Sequence, residues 1–396
     1  MSRFWDFELP TRIQFGRGGL RKIGETVRPL GSSALLVGYR EQAALTEIYR
    51  RATVSLEKAG VAVSHFGIDP EPGAESIEAG AAAANECGID VIVALGGGSA
   101  IDAAKGIAAL ARSGGNLWQY TVGAAGAASV TAALPIVAVP TTAGTGSEVS
   151  PVAVFTFHGV GSHPDLPLKG TISSPFLYPR IAVVDPDLSV GSPPQLTARC
   201  GADALGHAIE ARISRRADPI SSTLACRAVA LIYRNLRRAV DDPSDPAPRE
   251  HLALAATLAG AAFSAAGVGV NHALAHALGA VLGTPHGEAV GVGTPIHLRF
   301  NAERCLGEYA ELADCCGIQG STEEARASHF VDEMSGLLRS VGLPDKLDAP
   351  PDAPGDLIER LVANAIESSA VVLPFNPRKV DRESLAVLFR EILRTH

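Results

Sequence analysis

The 396-residue chain is poor in cysteine, has no excess of positive charge and lacks the usual dinucleotide fingerprint. Its six cysteines, Cys87, Cys200, Cys226, Cys305, Cys315 and Cys316, include no CxxC pair and two adjacent residues, a spacing that suits reduced thiols in a cytoplasmic protein. Lys and Arg number 34 against 42 Asp and Glu, giving a net charge of −8. The arginines are dispersed, so the basic face that a nucleic-acid partner needs is missing. The opening "MSRFWDFELPTRIQFG" carries charges where a signal peptide needs an apolar core, which predicts no export signal. No internal repeat or low-complexity tract stands out. Between His251 and Gly287 there is no Asp, Glu, Lys or Arg, a length that would span a bilayer. That stretch is mostly Ala and Gly, is broken by "GVGVN" and carries His and Asn, so it reads as a buried helix pair and not as a membrane segment.

What is present divides the chain in two. Hydrophobic residues make up 46%, ample for two cores. The first half alternates short β-branched runs with Ala-rich helical stretches: "SALLVG" (33–38), "VAVSHFG" (61–67), "DVIVALGGG" (90–98), "LPIVAVPTT" (134–142) and "RIAVVDP" (180–186). Continuous apolar strands separated by helices predict a parallel sheet covered on both faces. Beyond Asp187 the β-like runs give way to Ala/Leu/Arg helices, with loops at "DDPSDPAPRE" (241–250) and "DAPPDAPGD" (348–356). The expectation is a Rossmann-like α/β domain over residues 1–187 and an all-α domain over residues 188–396. "VGAAGAASV" (122–130) reads as a surface loop.

In "VIVALGGGSAIDAAKGIA" a buried strand runs into three glycines and a helix, with Ser99 and Asp102 spaced as a capping box. Glycine allows close backbone approach, and free N–H groups at a helix start favour an anion such as a cofactor pyrophosphate. The three glycines alone fit a plain strand-to-helix turn equally well. A second turn, "PTTAGTGSEVS" (140–150), also follows a strand and would sit beside the first at the carboxyl edge of the sheet, where such folds bind ligands. After the first nucleotide strand stands "ALLVGYREQ" in place of GxGxxG.

The helical half places Asp203 and His207 four residues apart, on one face of a helix, and repeats that spacing with His272 and His276. Pro285 is expected to end the second helix and present His286 from the following turn. Each residue alone has a plainer role, a core histidine bonded to a carbonyl or a helix-terminal carboxylate. Together, one carboxylate and several imidazoles from separate elements suit a divalent ion, Fe²⁺ or Zn²⁺ in preference to Ca²⁺ or Mg²⁺.

The paired turns "GGGSAIDAAKG" and "PTTAGTGSEV", the "DALGHAIE" helix and "HALAHALG" with "TPHG" resemble the iron-containing (group III) alcohol dehydrogenase family, and the likeness runs from "LPTRIQFGRG" to "NPR" at 376–378. The resemblance implies a dinucleotide-binding domain facing a helical domain that holds one divalent ion. It implies Asp203, His207, His272 and His286 as metal ligands, with His276 near the nicotinamide in a polar or proton-transfer role. It also implies cofactor contacts at Tyr39, Gly97, Gly98, Ser99, Asp102, Thr141, Thr142, Thr145, Lys169 and Leu196. The implied activity is NAD- or NADP-linked hydride transfer between a small primary alcohol and its aldehyde, in a homodimer or larger homo-oligomer with no nucleic-acid or membrane partner.

Two positions depart from the family pattern. NAD-preferring relatives often carry an Asp after the first nucleotide strand, where it binds the ribose 2′-hydroxyl; here the chain reads Gly38-Tyr39-Arg40, which leaves NADP open and offers Arg40 as a phosphate partner. Val152 stands where the diol and lactaldehyde enzymes are polar and, with Phe263, suggests a pocket for a less polar alcohol. Two other readings are a metal-independent reductase of the maleylacetate reductase type, against which the intact Asp/His set argues, and a nucleotide-binding protein without turnover.

Overall fold

The computed structural model describes residues 4–41 and 43–394. Its first half is a six-stranded parallel sheet built from β1 (Arg12–Phe15), β2 (Ser33–Tyr39), β3 (Ala62–Ile68), β4 (Val91–Gly96), β5 (Ile136–Pro140) and β8 (Ile181–Val184). The spatial order is β1-β8-β5-β4-β2-β3. Successive side chains leave opposite faces of a strand, so the apolar runs feed two cores. Leu35, Val37, Ile92, Ala94, Ile136 and Ala138 pack beneath helices α3 (Ala74–Glu86) and α4 (Gly98–Ser113). Ala34, Leu36, Val91, Val93, Val137 and Val139 pack against α1 (Ile23–Val27) and α2 (Thr46–Lys58) on the other face. Each such Val, Leu or Ile stabilises the fold by about 1.5–3 kcal/mol when removed from water. The five apolar runs read from the sequence are β2, β3, β4, β5 and β8; β1 is an additional edge strand.

The chain passes outward from β2 to β3 and then returns to the opposite side of β2 with β4. The connections leaving β2 and β4 therefore diverge, and a crevice opens at the carboxyl ends of these strands. A hairpin absent from the sequence reading, β6 (Val152–Phe157) paired antiparallel with β7 (Leu168–Ser173), forms one wall of that crevice. Ala153, Phe155 and Phe157 join the α3/α4 core, while Val152, Val154 and Thr156 also line the crevice.

The second half is helical: α5 (Pro194–Ile213), α6 (Pro219–Asp241), α7 (Pro246–Ala266), α8 (Val270–Leu282), α9 (His286–Asn301), α10 (Leu306–Cys316), α11 (Glu323–Ser340), α12 (Leu357–Ser369) and α13 (Arg382–Ile392). One core joins α5, α6, α7, α10 and α11, and a second joins α8, α9, α12 and α13. A two-residue strand pair, Leu347–Asp348 with Leu393–Arg394, interrupts the all-helical pattern. The expected loop at 241–250 is shorter than its composition suggested. Asp245 caps α7 by accepting the Ala247 N–H at 3.0 Å, and Pro246, which has no N–H to lose, opens the helix.

The charge-free stretch does form a helix pair, the latter part of α7 followed by α8, bent by 105° at the intervening break. No single helix among the described residues is long and apolar enough to cross a membrane. The bend has a local cause: Gly267 adopts φ +75°, and a Cβ there would lie 2.6 Å from the ring of Phe375. Loop 122–130 lies at the surface apart from buried Val130.

Candidate metal centre and nucleotide cleft

α5 is buried through most of its length because it lies between the two helical cores, so its polar residues must find partners inside the protein. Asp203, His207 and Glu210 stand at i, i+4 and i+7 and share one face. α8 brings His272 and His276 toward that face. Gly283, in the left-handed conformation, closes α8, and Pro285 precedes a new helix in which His286 is the first residue. This corrects the expected turn: glycine, not proline, stops the helix, and His286 is held by α9. Gly287 makes this approach possible, because a Cβ there would lie 2.2 Å from the Arg199 carbonyl oxygen on α5.

Three of the four expected ligands, Asp203, His207 and His272, place their ligand atoms within 4.8 Å of one another, and His286 approaches Asp203 from α9. Asp203 Oδ1 lies 3.6 Å from His207 Nδ1, 3.5 Å from His272 Nε2 and 3.3 Å from His286 Nε2. Ligands about 2.1 Å from a tetrahedral ion sit about 3.4 Å apart, the same spacing. Asp203 Oδ1, His207 Nδ1 and His272 Nε2 are buried without a hydrogen-bond partner among the described residues, although such atoms cost about 1–3 kcal/mol when unpaired. A divalent cation fits these orphaned donors. Burial works to raise the Asp203 pKa, yet the surrounding imidazoles of His207, His286 and His272 hold it well below the usual carboxylate range. Burial pushes His207 down to about 3, against the pull of Asp203, so its ring is neutral and its lone pair free. Its ring stacks on Phe263 with centroids 4.4 Å apart. His276 is half-buried, its Nδ1 enclosed and unpartnered among the described residues, 5.7 Å ring to ring from His286, and desolvation followed by the charges of His286 and Lys169 holds it neutral.

From the metal centre a cleft of about 550 Å³ extends to the carboxyl edge of the sheet, lined by Tyr39, Gly97, Gly98, Ser99, Asp102, Thr142, Thr145, Lys169, Leu196 and the five site residues Asp203, His207, His272, His276 and His286. The start of α4, with Gly97, Gly98 and Ser99, lines this cleft. Gly97 lies under the Tyr39 hydroxyl and Thr142, and Gly98 under Thr145; a Cβ on Gly98 would be 2.4 Å from Thr145 Cγ2. Burial pushes the Tyr39 hydroxyl up to about 12, so it stays protonated. Lys169, buried on β7, meets Glu71 at 3.3 Å.

Two expectations change here. Asp102 does not cap α4: the helix begins one residue before Ser99, with Gly97 as its cap, and the buried carboxylate instead accepts Ser147 Oγ at 2.6 Å and the Val154 N–H at 2.9 Å. Thr141 lies outside the cleft lining; its N–H bonds the Gly96 carbonyl at 2.9 Å, and it borders a small pocket behind the second turn. Arg40 is exposed, with Nη2 donating to the Gly67 carbonyl at 3.3 Å and Nε 3.8 Å from Asp69.

Comparison with known proteins agrees with this architecture. The family model for iron-containing alcohol dehydrogenase matches residues 10–186, and that for the C-terminal domain of the Fe-containing alcohol dehydrogenase family matches residues 197–393. The chain belongs to the iron-containing alcohol dehydrogenase family. It is 35% identical over 395 residues to a 1,3-propanediol dehydrogenase of Klebsiella pneumoniae, covering 98% of this chain and 99% of that one. It is 30% identical over 392 residues to an NAD-dependent methanol dehydrogenase of Bacillus methanolicus, covering 98% and 100%. The crystal structure of an archaeal halo-thermophilic alcohol dehydrogenase from a Red Sea brine pool superposes with a TM-score of 0.91 at 31% identity, covering 99% of this chain and 100% of that one. The protein is thus an alcohol dehydrogenase, an oxidoreductase acting on CH–OH.

Within this alcohol dehydrogenase, one functional residue escaped the sequence reading. Glu210 accepts the N–H groups of Gly269 at 3.0 Å and Asn271 at 2.8 Å, satisfying the start of α8, and its other oxygen takes the proton of His272 Nδ1. Burial works against the His272 cation, but Glu210 and Asp203 outweigh it and raise His272 to about 9. With Nδ1 protonated toward Glu210, Nε2 is the nitrogen aimed at Asp203, as a carboxylate–imidazole–metal arrangement requires. The signal was the i+7 position after Asp203 on the same helical face.

Proposed function

We propose that Asp203, His207, His272 and His286 hold one divalent ion, Fe²⁺ or Zn²⁺, and that the cleft binds NAD or NADP for the interconversion of a small primary alcohol and its aldehyde. A bound ion supplies Lewis acidity at the substrate oxygen, and the nicotinamide supplies or accepts hydride. The first turn of α4, with Gly97, Gly98 and Ser99, receives the pyrophosphate, and Thr142, Thr145, Lys169, Tyr39 and Leu196 flank the rest of the cofactor. His276, neutral and lining the cleft, is placed to pass a proton. Val152, Phe263 and Val268 give the substrate an apolar wall.

No carboxylate stands at residue 39, where one would repel a 2′-phosphate, and Arg40 is exposed, which supports acceptance of either nucleotide. Residues 1–187 are assigned to nucleotide binding and 188–396 to the metal and substrate. All six cysteines are free, which supports a reducing compartment such as the cytoplasm.

The observation that carries this reading is one buried carboxylate oxygen within 3.3–3.6 Å of three imidazole nitrogens, beside a cleft that reaches a helix N-terminus. The test is Asp203→Ala, assayed for bound metal and for turnover of C2–C5 alcohols with each nucleotide. The expected outcome is loss of stoichiometric metal and a fall in kcat/KM of at least ~10³-fold, equal to about 4 kcal/mol of transition-state stabilisation. A variant that keeps both metal and full turnover overturns the assignment.

A further inference from the structure

Charge pairing around the cleft is almost complete. Lys169 faces Glu71 at 3.3 Å. Arg199 Nε donates to Glu288 at 2.8 Å. Asp102 is tied through Ser147 to the ammonium of Lys105, which donates to Ser147 Oγ at 2.7 Å. Asp203 sits among three imidazoles. Arg216 is the exception: it lines the same cleft, and its guanidinium has no carboxylate partner among the described residues.

That guanidinium is held in place. It lies over the Phe375 ring with Cζ 4.9 Å from the centroid, a favourable cation–π arrangement. Phe375 is itself fixed, with its carbonyl accepting the Arg215 N–H at 2.8 Å and its ring wedged against the Cβ-less backbone of Gly267. The same cleft is lined by Phe263, stacked on His207, and by Val268. The cleft thus combines the metal centre, apolar side chains and a cation with no carboxylate partner among the described residues. Arg216 follows the end of α5, and the six residue steps from His207 to Ile213 advance about 9 Å along the helix axis, a separation that a medium-length chain spans.

We propose that Arg216 receives the carboxylate of a medium-chain ω-hydroxy acid or of the matching ω-oxo acid, making such amphiphilic molecules the preferred substrates. The proposal rests on the dehydrogenase reading above. The reaction stays the same: one hydride and one proton leave the CH–OH group, NAD(P)⁺ takes the hydride, and the distant carboxylate is unchanged.

The test compares 8-hydroxyoctanoate with 1,8-octanediol on the wild type, Arg216→Met and Arg216→Lys. In the wild type the ratio of the two kcat/KM values should favour the hydroxy acid by at least ~10-fold, the range of one charge-assisted hydrogen bond, and should shrink as salt is added. Arg216→Met should bring the ratio to about one, and Arg216→Lys should keep part of it, since ammonium retains the charge but not the fork geometry. A wild-type ratio near one, or an equal loss on both substrates in Arg216→Met, overturns the proposal. Calorimetric binding of octanoate to the protein with NAD reads the same contact without turnover, and an affinity indifferent to Arg216→Met also overturns it. If octanoate binding depends on Arg216 but neither alcohol is oxidised, the cation's role stands and the dehydrogenase reading fails.

Discussion

Replacing Glu210 by Gln removes one negative charge from a fully enclosed position without changing side-chain size. In the wild type the carboxylate takes the His272 Nδ1 proton while also accepting two backbone N–H groups at the start of α8, at 3.0 and 2.8 Å. Glutamine keeps an acceptor for those N–H groups, but its amide then presents hydrogens to Nδ1. In the wild type an incoming ion displaces the Nε2 proton while Nδ1 keeps its own toward Glu210; in the variant the neutral imidazole instead holds its proton on Nε2, the atom 3.5 Å from Asp203 Oδ1, where it competes with the metal. Outer-shell partners of ligating histidines are worth about 10- to 100-fold in metal affinity, or about 1.4–2.7 kcal/mol. Exchanging two charge-assisted bonds for neutral ones costs the apo fold about another 2 kcal/mol. Apo protein titrated with Zn²⁺ against a competing chelator measures the first quantity, and urea unfolding of the apo protein measures the second. Metal affinity within twofold of wild type would show that Glu210 does not set the tautomer of His272.

Gly98→Ala should raise the dissociation constant for NADH by about 10-fold and cost about 1–3 kcal/mol of stability, because its Cβ would meet Thr145 Cγ2 at 2.4 Å and push the first turn of α4 from the cleft. NADH fluorescence titration with a parallel melt checks both, and unchanged values would remove the close-packed turn from the argument. Alkaline stability should carry two opposing signatures. Burial raises Cys305 and Cys316 from 9.0 to about 12, so unfolded thiols lose their protons first, and stability falls between these values by about 1 kcal/mol each at pH 10. Burial lowers Lys105 from 10.5 to about 8, so the unfolded chain binds the extra proton and this residue's contribution rises with pH between 8 and 10.5. Urea midpoints at pH 8 and 10 for wild type, Cys305→Ala with Cys316→Ala, and Lys105→Met separate the two; the same slope in all three would refute both.

Much of the architecture was legible because it follows from local rules. Four of the five apolar runs, β2, β4, β5 and β8, were legible because a strand buried on both faces must be apolar at nearly every position, and the fifth became the edge strand β3, of which only Ile68 is buried. The hairpin of β6 and β7 escaped because its alternation serves two environments, a core on one face and a ligand cleft on the other. Asp102 misled for a related reason. Its spacing from Ser99 suits a cap, but the helix starts at Gly98 and leaves the carboxylate free to bind the backbone of Val154, far away in sequence. Glu210 was overlooked because a glutamate seven residues after Asp203 gains meaning only when α8 begins beside it.

The sequence by itself determined which side chains could ligate and on which helical faces they stand, because residue chemistry and the 3.6-residue period are local properties. Only the tertiary structure decided that three imidazoles meet one carboxylate oxygen, that Thr141 lies outside the cleft lining, and that Arg216 has no carboxylate partner among the described residues. Each of these depends on the meeting of segments tens of residues apart, at distances that packing sets and no single segment contains.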